Sequence, residues 1–257
     1  MPFEENSYLG KQIEKMRNDF LKTNADIINE FNDLNKDLNK ILYNIRYTEE
    51  FEKDNILLGL FCNTIETFNS IVILSNYGLS SNSQVLLRSL IESVFNYCAI
   101  IRDESHFDFF IERGNAETRR LARLIENNPN TFKNGELKDQ IGKLKLDSDL
   151  FNKKYDFKSI EDISKSAKLH DLYLYTYNIL CLETHSNVKS IVRNHIDYKE
   201  ENVTLNMLPE YENHKFLVVT TMYVLVQFLV GTQEYFDCDL TMIIDRYFNY
   251  VKDFDSK

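Results

Sequence analysis

Seven glycines and three prolines in 257 residues are too few chain breakers for a fold of short strands and tight turns, so long helices are the default. The four cysteines, Cys62, Cys98, Cys181 and Cys238, stand far apart and form no C-x-x-C pair. Most of them fall inside apolar helical patterns, where a thiol behaves as a small hydrophobe, and the expectation is a reduced, cytoplasmic chain. Nor does the start, MPFEENSYLGKQ, place an apolar core behind a basic segment, so it reads as no signal peptide. The greasiest run, Phe216 to Val230, falls short of the roughly 20 residues of a membrane span. Thr220, Thr221 and Gln227 interrupt it. It reads as a buried helix, with no membrane partner expected.

Positive charge is also scarce. Thirty Lys and Arg face forty Asp and Glu, a net charge of −10, which argues against DNA, since non-specific nucleic-acid binding depends on basic side chains displacing counterions. The balance reverses only between Arg113 and Lys168, with 13 basic and 9 acidic residues, a local +4 that leaves −14 elsewhere. Such a stretch is read as a solvated face ahead of an RNA site. Motifs with strict spacing are missing too: no Gly-rich phosphate loop, no H-E-x-x-H, no G-x-S-x-G. Glu104/His106, Glu183/His185 and Glu212/His214 are each two apart, and side chains two apart diverge on a helix, so the Glu-x-x-His pairs of a di-iron bundle do not occur. No metal and no cofactor is expected.

What is present is helical periodicity. Ser81 to Arg102, SNSQVLLRSLIESVFNYCAIIR, is apolar on nearly every side of a 3.6-residue turn and belongs at the centre of a bundle. One stripe breaks it: Gln84, Arg88, Glu92 and Asn96, four apart and stacked along one side. A guanidinium and a carboxylate there must reach water or be paired, because an unpaired buried charge costs several kcal/mol.

The rest arranges itself around that helix. Ile13, Met16, Phe20, Ile27, Phe31, Leu34, Leu38, Ile41 and Ile45 mark a long one-faced helix from about Glu5 to Arg46, broken near Thr23–Asn24. Residues 1–48 thus form an arm suited to a bundle or to a second copy, and residues 49–257 the bundle itself. A second helix runs from Glu49 to Asn76, where Asn76-Tyr77-Gly78 supplies a left-handed stop. Ser81 and Gln84 have capping-box spacing. After an Arg-rich helix to Glu126, a polar peripheral insertion is expected at about 129–158. Ser159 caps a further helical run, and Leu169 to His185 forms another buried helix on which Asp171, Leu174, Asn178, Cys181 and His185 share a side. The segment after His185, rich in Val, Ile, Thr and Asn, is read as an irregular loop with a small hairpin. Pro209 opens the last core helix, and Leu240 to Phe254 closes the chain. The fold expected is all-α, a bundle of four to six long helices.

The candidate site is the polar set on otherwise apolar helices: Arg88, Glu92 and Asn96 on the central helix, Asn178 and His185 on the later one. Packed side by side, these helices bring a guanidinium, a carboxylate and an imidazole together. The set can hold an anionic ligand through Arg88, with Asn96, Asn178 and His185 around it. It can also act catalytically, His185 moving a proton while Arg88 steadies negative charge beside Glu92. The plainer reading makes Arg88 and Glu92 an i,i+4 ion pair that keeps the core in register, with His185 a capping residue. His106, His170, His195 and His214 are read as surface or cap residues.

The segments SSNSQVLLRSLIESVFNY and YTYNILCLETHSNV resemble the two best-marked parts of a bacterial group, domain-of-unknown-function family 5677. An R-x-x-x-E helix and a later helix ending in His recur there, which implies Arg88, Glu92 and His185 here, over roughly Glu49 to Phe236. In outline the chain is also similar to HEPN helical bundles, many of them metal-independent ribonucleases of toxin and phage-defence systems. Those carry on one helix an Arg, four to six intervening residues and a His. Here Arg102 and His106 are one residue short of that spacing, and Arg193 and His195 shorter still. Two functions follow as expectations. One is a binding or interaction module for a small anionic ligand or protein partner, self-associating through its arm. The other is an RNA-cleaving effector.

Overall fold

A computed structural model describes residues 10–48, 52–127, 158–184, 188–199, 202–205, 208–211 and 213–255. Helices α1 (Lys11–Thr23), α2 (Ala25–Asn44), α3 (Glu52–Asn76), α4 (Ser80–Arg102) and α5 (Glu104–Glu126) run in order. Then come α6 (Ile160–Ser166) and α7, a compound helix made of His170–Leu172, a π-helical turn at Tyr173–Tyr177, and Asn178–Thr184. Next are α8 (Val188–His195), the strands β1 (Ile196–Lys199) and β2 (Asn202–Leu205), α9 (His214–Phe236) and α10 (Thr241–Asp255). The fold is all-α, as the scarcity of breakers implies. The two strands form an antiparallel hairpin, Ile196 opposite Leu205 and Lys199 opposite Asn202. The residues 128–157, which carry nearly all of the expected insertion, lie outside the described residues, and so does His185.

Helix α4 is the axis of the molecule. It packs against α3, α5, α6, α7 and α9. Leu87, Leu90, Ile91, Val94, Phe95, Tyr97, Cys98, Ala99 and Ile100 are all buried along it. Each large apolar side chain so buried stabilises the fold by about 1.5–3 kcal/mol. Phe228 of α9 sits between Tyr97 of α4 and Phe61 of α3, ring centroids 4.4 and 4.7 Å away, so three helices share one aromatic centre. Close approach of α9 to α4 depends on Gly231, where a Cβ would stand 3.0 Å from the Cys98 sulfur. At the exposed end of that pair Arg102 donates from Nε and Nη2 to both oxygens of Glu234, at 2.7 and 2.9 Å.

The break expected near Thr23–Asn24 falls at Asn24, which separates α1 from α2. Phe31, Leu34 and Leu38 of α2 are buried in the same core as α3, with Phe31 edge-on to Phe68 at 5.6 Å. Gly78 adopts the left-handed stop, φ +69°, and Ser159 with Asp162 forms a reciprocal capping box at α6.

Four local expectations are corrected. Ser81 and Gln84 form no capping box: α4 starts at Ser80, and its cap position, Leu79, makes no side-chain bond. Pro209 does not open a helix but packs on Gly78, with Glu210 N donating to Gly78 O at 2.9 Å, and α9 begins at His214. The chain after His185 is not wholly irregular, since α8 precedes the hairpin. His106 and His214 are buried, not surface or cap residues.

By length and composition α3, α4 and α9 could each cross a membrane. They pack on one another, α4 between α3 and α9. The outer side of α3 carries Asn55, Asn63 and Glu66, all exposed.

Candidate functional site

The stripe of α4 faces α7, and there the guanidinium of Arg88 finds its partners. Nη2 donates to the Tyr177 hydroxyl at 2.8 Å and lies 3.0 Å from Glu92 Oε1. Nε donates to Cys181 Sγ at 3.3 Å. Tyr177 passes its own proton to Glu92 Oε1 at 2.6 Å, which closes a three-membered ring of Arg, Tyr and Glu. The Arg88 carbon centre also lies 5.1 Å from the centroid of the Tyr177 ring, a cation–π contact on top of the hydrogen bond.

The ring of contacts sets the charges. Partial burial opposes the Arg88 charge, but the Cys181 bond and the Glu92 carboxylate outweigh it and raise the pKa above its ordinary value. Burial, the bond to Glu92 and the Glu92 charge push the Tyr177 phenol up as well, so it stays a neutral donor. Neither ion is deeply buried, the side chains of Arg88 and Glu92 being 29% and 31% exposed. Among the described residues Nη1 of Arg88 has no hydrogen-bond or ion-pair partner and is not buried. The cluster thus fixes one edge of a guanidinium and leaves Nη1 without a partner among the described residues.

The π-helical turn supplies the tyrosine. Among the described residues of α7, Leu172, Tyr177 and Leu180 are buried, spaced by five and then three. A step of five across the wide turn is a π spacing, and such turns recur at functional sites. Asn178, the next residue along, is exposed. The structure does not bring Asn178 to Arg88; Tyr177 holds that place. Tyr177 is not among the site residues expected from the sequence, since no residue pattern marks a π turn.

Asn96 lies one turn beyond Glu92 and donates from Nδ2 to the Glu92 carbonyl at 2.8 Å. That leaves its Oδ1 as an acceptor 3.2 Å from Nε2 of His106, so His106 carries its proton on Nε2. A histidine therefore does join the stripe, one that the sequence pattern places at the surface or in a cap. His106 sits in the first turn of α5, buried, its Nδ1 without a partner among the described residues. Burial, helped by Lys158 and Arg113 and opposed by Asp103, lowers its pKa to about 4. The imidazole is neutral at pH 7. The one hint in the sequence was its distance from Arg102, four positions along.

A groove of about 620 Å³ lies away from this cluster, lined by Asn44, Arg46, Tyr47, Asp54, Tyr235 and their neighbours. Its acid is already engaged: Asp54 accepts from the Tyr235 hydroxyl at 2.6 Å and from Thr48 N at 3.0 Å. No group of His, Cys, Asp and Glu able to hold a metal occurs among the described residues.

The class this defines is an all-α bundle with a charged ring, Arg88, Glu92 and Tyr177, closed between its central helix and a π-broken neighbour. The chain belongs to the family of unknown function DUF5677, whose sequence pattern matches residues 54–203. That span runs from α3 to β2 and contains every residue of the cluster. No curated protein and no solved structure matches the chain.

Proposed function

We propose that this protein is a binding module whose Arg88 cluster receives a small anionic ligand, a carboxylate or a phosphate. The observation that supports the reading most directly is the part-exposed guanidinium of Arg88, its Nη1 without a partner among the described residues and its plane oriented by Cys181, Tyr177 and Glu92 on the other side. A guanidinium held in one plane loses little freedom when it meets a planar or tetrahedral anion. The polar outer face of α3, with Glu66 exposed at its middle, supports an aqueous setting, since a charge facing lipid costs about 2.5–3.5 kcal/mol.

The test is thermal unfolding across an orthophosphate series, with the same series run on Arg88→Lys. Bound ligand raises stability by RT ln(1 + [L]/Kd), about 2.7 kcal/mol at a hundredfold excess over Kd. General salting effects are common to both proteins, so the expected result is a larger rise in Tm for the native chain. Equal rises in both would remove the reading. The catalytic alternative, a metal-independent ribonuclease, needs His185 and is answered separately: labelled RNA left intact in EDTA removes it.

A further inference from the structure

A second groove, of about 570 Å³, opens between α9, α10 and the π-helical turn of α7. Its size falls within the roughly 300–1,000 Å³ of small-molecule sites. Phe216 and Val219 of α9 form one wall, and Val251 and Phe254 of α10 the other. Four polar groups break that apolar lining: the ammonium of Lys215 and the hydroxyls of Thr176, Thr220 and Tyr223. Among the described residues Lys215 forms no ion pair, and its Nζ stands over the Phe254 ring, 5.7 Å from the centroid. None of the three hydroxyls has a hydrogen-bond partner among the described residues, and none is sealed from solvent.

The helix end adds to the charge of Lys215, and the one carboxylate described beside that end, Glu210, is engaged by Asn213 Nδ2 at 2.6 Å. Lys215 lies in the first turn of a 23-residue helix that has no acid in that turn, and the cap residue Asn213 makes no side-chain bond to the helix amides. The positive end of the helix therefore adds to the ammonium. An apolar trough with a cation at one end and unused hydroxyls along it is complementary to a molecule with one anionic head and an apolar body. We propose that this groove binds an amphipathic carboxylate, with the head on Lys215, the body between Phe216, Val219, Val251 and Phe254, and the hydroxyls of Thr176, Thr220 and Tyr223 along the trough beside it. Apart from Thr176, these residues lie outside the span 54–203 that matches the family, and the site is independent of Arg88.

Calorimetric titration with sodium decanoate below its micelle concentration tests the proposal, with 1-decanol as the same body on an uncharged head. The native chain is expected to take up one decanoate saturably and to hold decanol more weakly. Lys215→Met keeps the length and apolar stem of an exposed residue and so leaves the fold intact. It is expected to weaken decanoate about tenfold, as loss of one charged hydrogen bond does, and to leave decanol unchanged. Val219→Trp fills the trough and is expected to abolish uptake of both. The absence of saturable uptake by the native chain overturns the proposal, as does equal decanoate affinity in Lys215→Met. Sedimentation showing a dimer that excludes decanoate also overturns it, because the groove then belongs to a second copy.

Discussion

At the scale of single residues, the Tyr177 oxygen stands between a base and an acid, accepting from Arg88 at 2.8 Å and donating to Glu92 at 2.6 Å. Tyr177→Phe removes that oxygen but leaves the ions 3.0 Å apart, still able to satisfy one another. The expected loss is therefore that of a hydrogen-bonded hydroxyl, about 1 kcal/mol, or a Tm lower by about 2–4 °C in a chain of this size. Arg88→Met strips Tyr177 and Glu92 of a common partner, so a double-mutant cycle between positions 88 and 177 is expected to give a coupling of about 0.5–1 kcal/mol. Additive losses in chemical denaturation would make the ring a coincidence of packing. The Arg88–Glu92 half of the ring was legible in the sequence, because a four-residue spacing on a greasy helix leaves an ion pair few alternatives. Tyr177 and His106 were not. One is placed by a π turn that leaves no residue signature, the other by burial at a helix start that composition does not reveal.

Among the elements, the joints carry the information that periodicity lacks. Long apolar segments such as α4 and α9 declare themselves, since every turn must be covered. Their relative placement hangs on contacts between residues distant in sequence, such as Pro209 on Gly78. Gly78 has φ +69°, and a Cβ there would lie 2.5 Å from the Pro209 Cβ. Gly78→Ala combines a left-handed backbone with a clash and is expected to cost about 2–4 kcal/mol. The same substitution at Gly59, mid-helix in α3 with nothing within 4 Å of a built Cβ, is expected to stabilise by about 0.5–1 kcal/mol. Opposite shifts of the two urea midpoints check the assignment; a Gly78→Ala midpoint equal to that of the native chain would mean that Pro209 is not seated on the turn. Similar reasoning explains why α8 has no clear signature in the sequence: eight residues, five of them Val, Ser, Ile or Asn, sit below the length at which a periodic pattern outweighs its propensities.

For the whole molecule the decisive variable is pH, because two buried imidazoles are enclosed by the bundle. His106 is coupled to α4 through Asn96. His214 opens α9 with Phe20 of α1 edge-on to its ring at 4.6 Å, and neither of its ring nitrogens has a hydrogen-bond partner among the described residues. Burial lowers the pKa of His214 to about 4, and burial is the first cause for His106 at about 4 too. Both folded values lie below the ordinary 6.5, so between pH 6.5 and 4 the unfolded chain binds more protons than the native one. Stability is then complete above pH 6.5, declines as the pH falls through that window, and loses nothing further from the histidines below about 4. Asp103 acts in a lower range. Burial opposes its charge, but bonds from Ser105, Ser166 and Lys158 hold its pKa well below the usual carboxylate value, so its contribution is lost only as the pH falls beneath 4. Two acid phases are expected in urea midpoints measured from pH 8 to 3. Because His214 joins α1 to α9, His214→Leu is expected to flatten part of the upper phase by about 1–2 kcal/mol and to leave the lower one in place. An unaltered slope between pH 6.5 and 4 in that variant would mean that the imidazole gains its proton without disturbing the Phe20 contact, and that α1 is not held to the bundle through a neutral histidine.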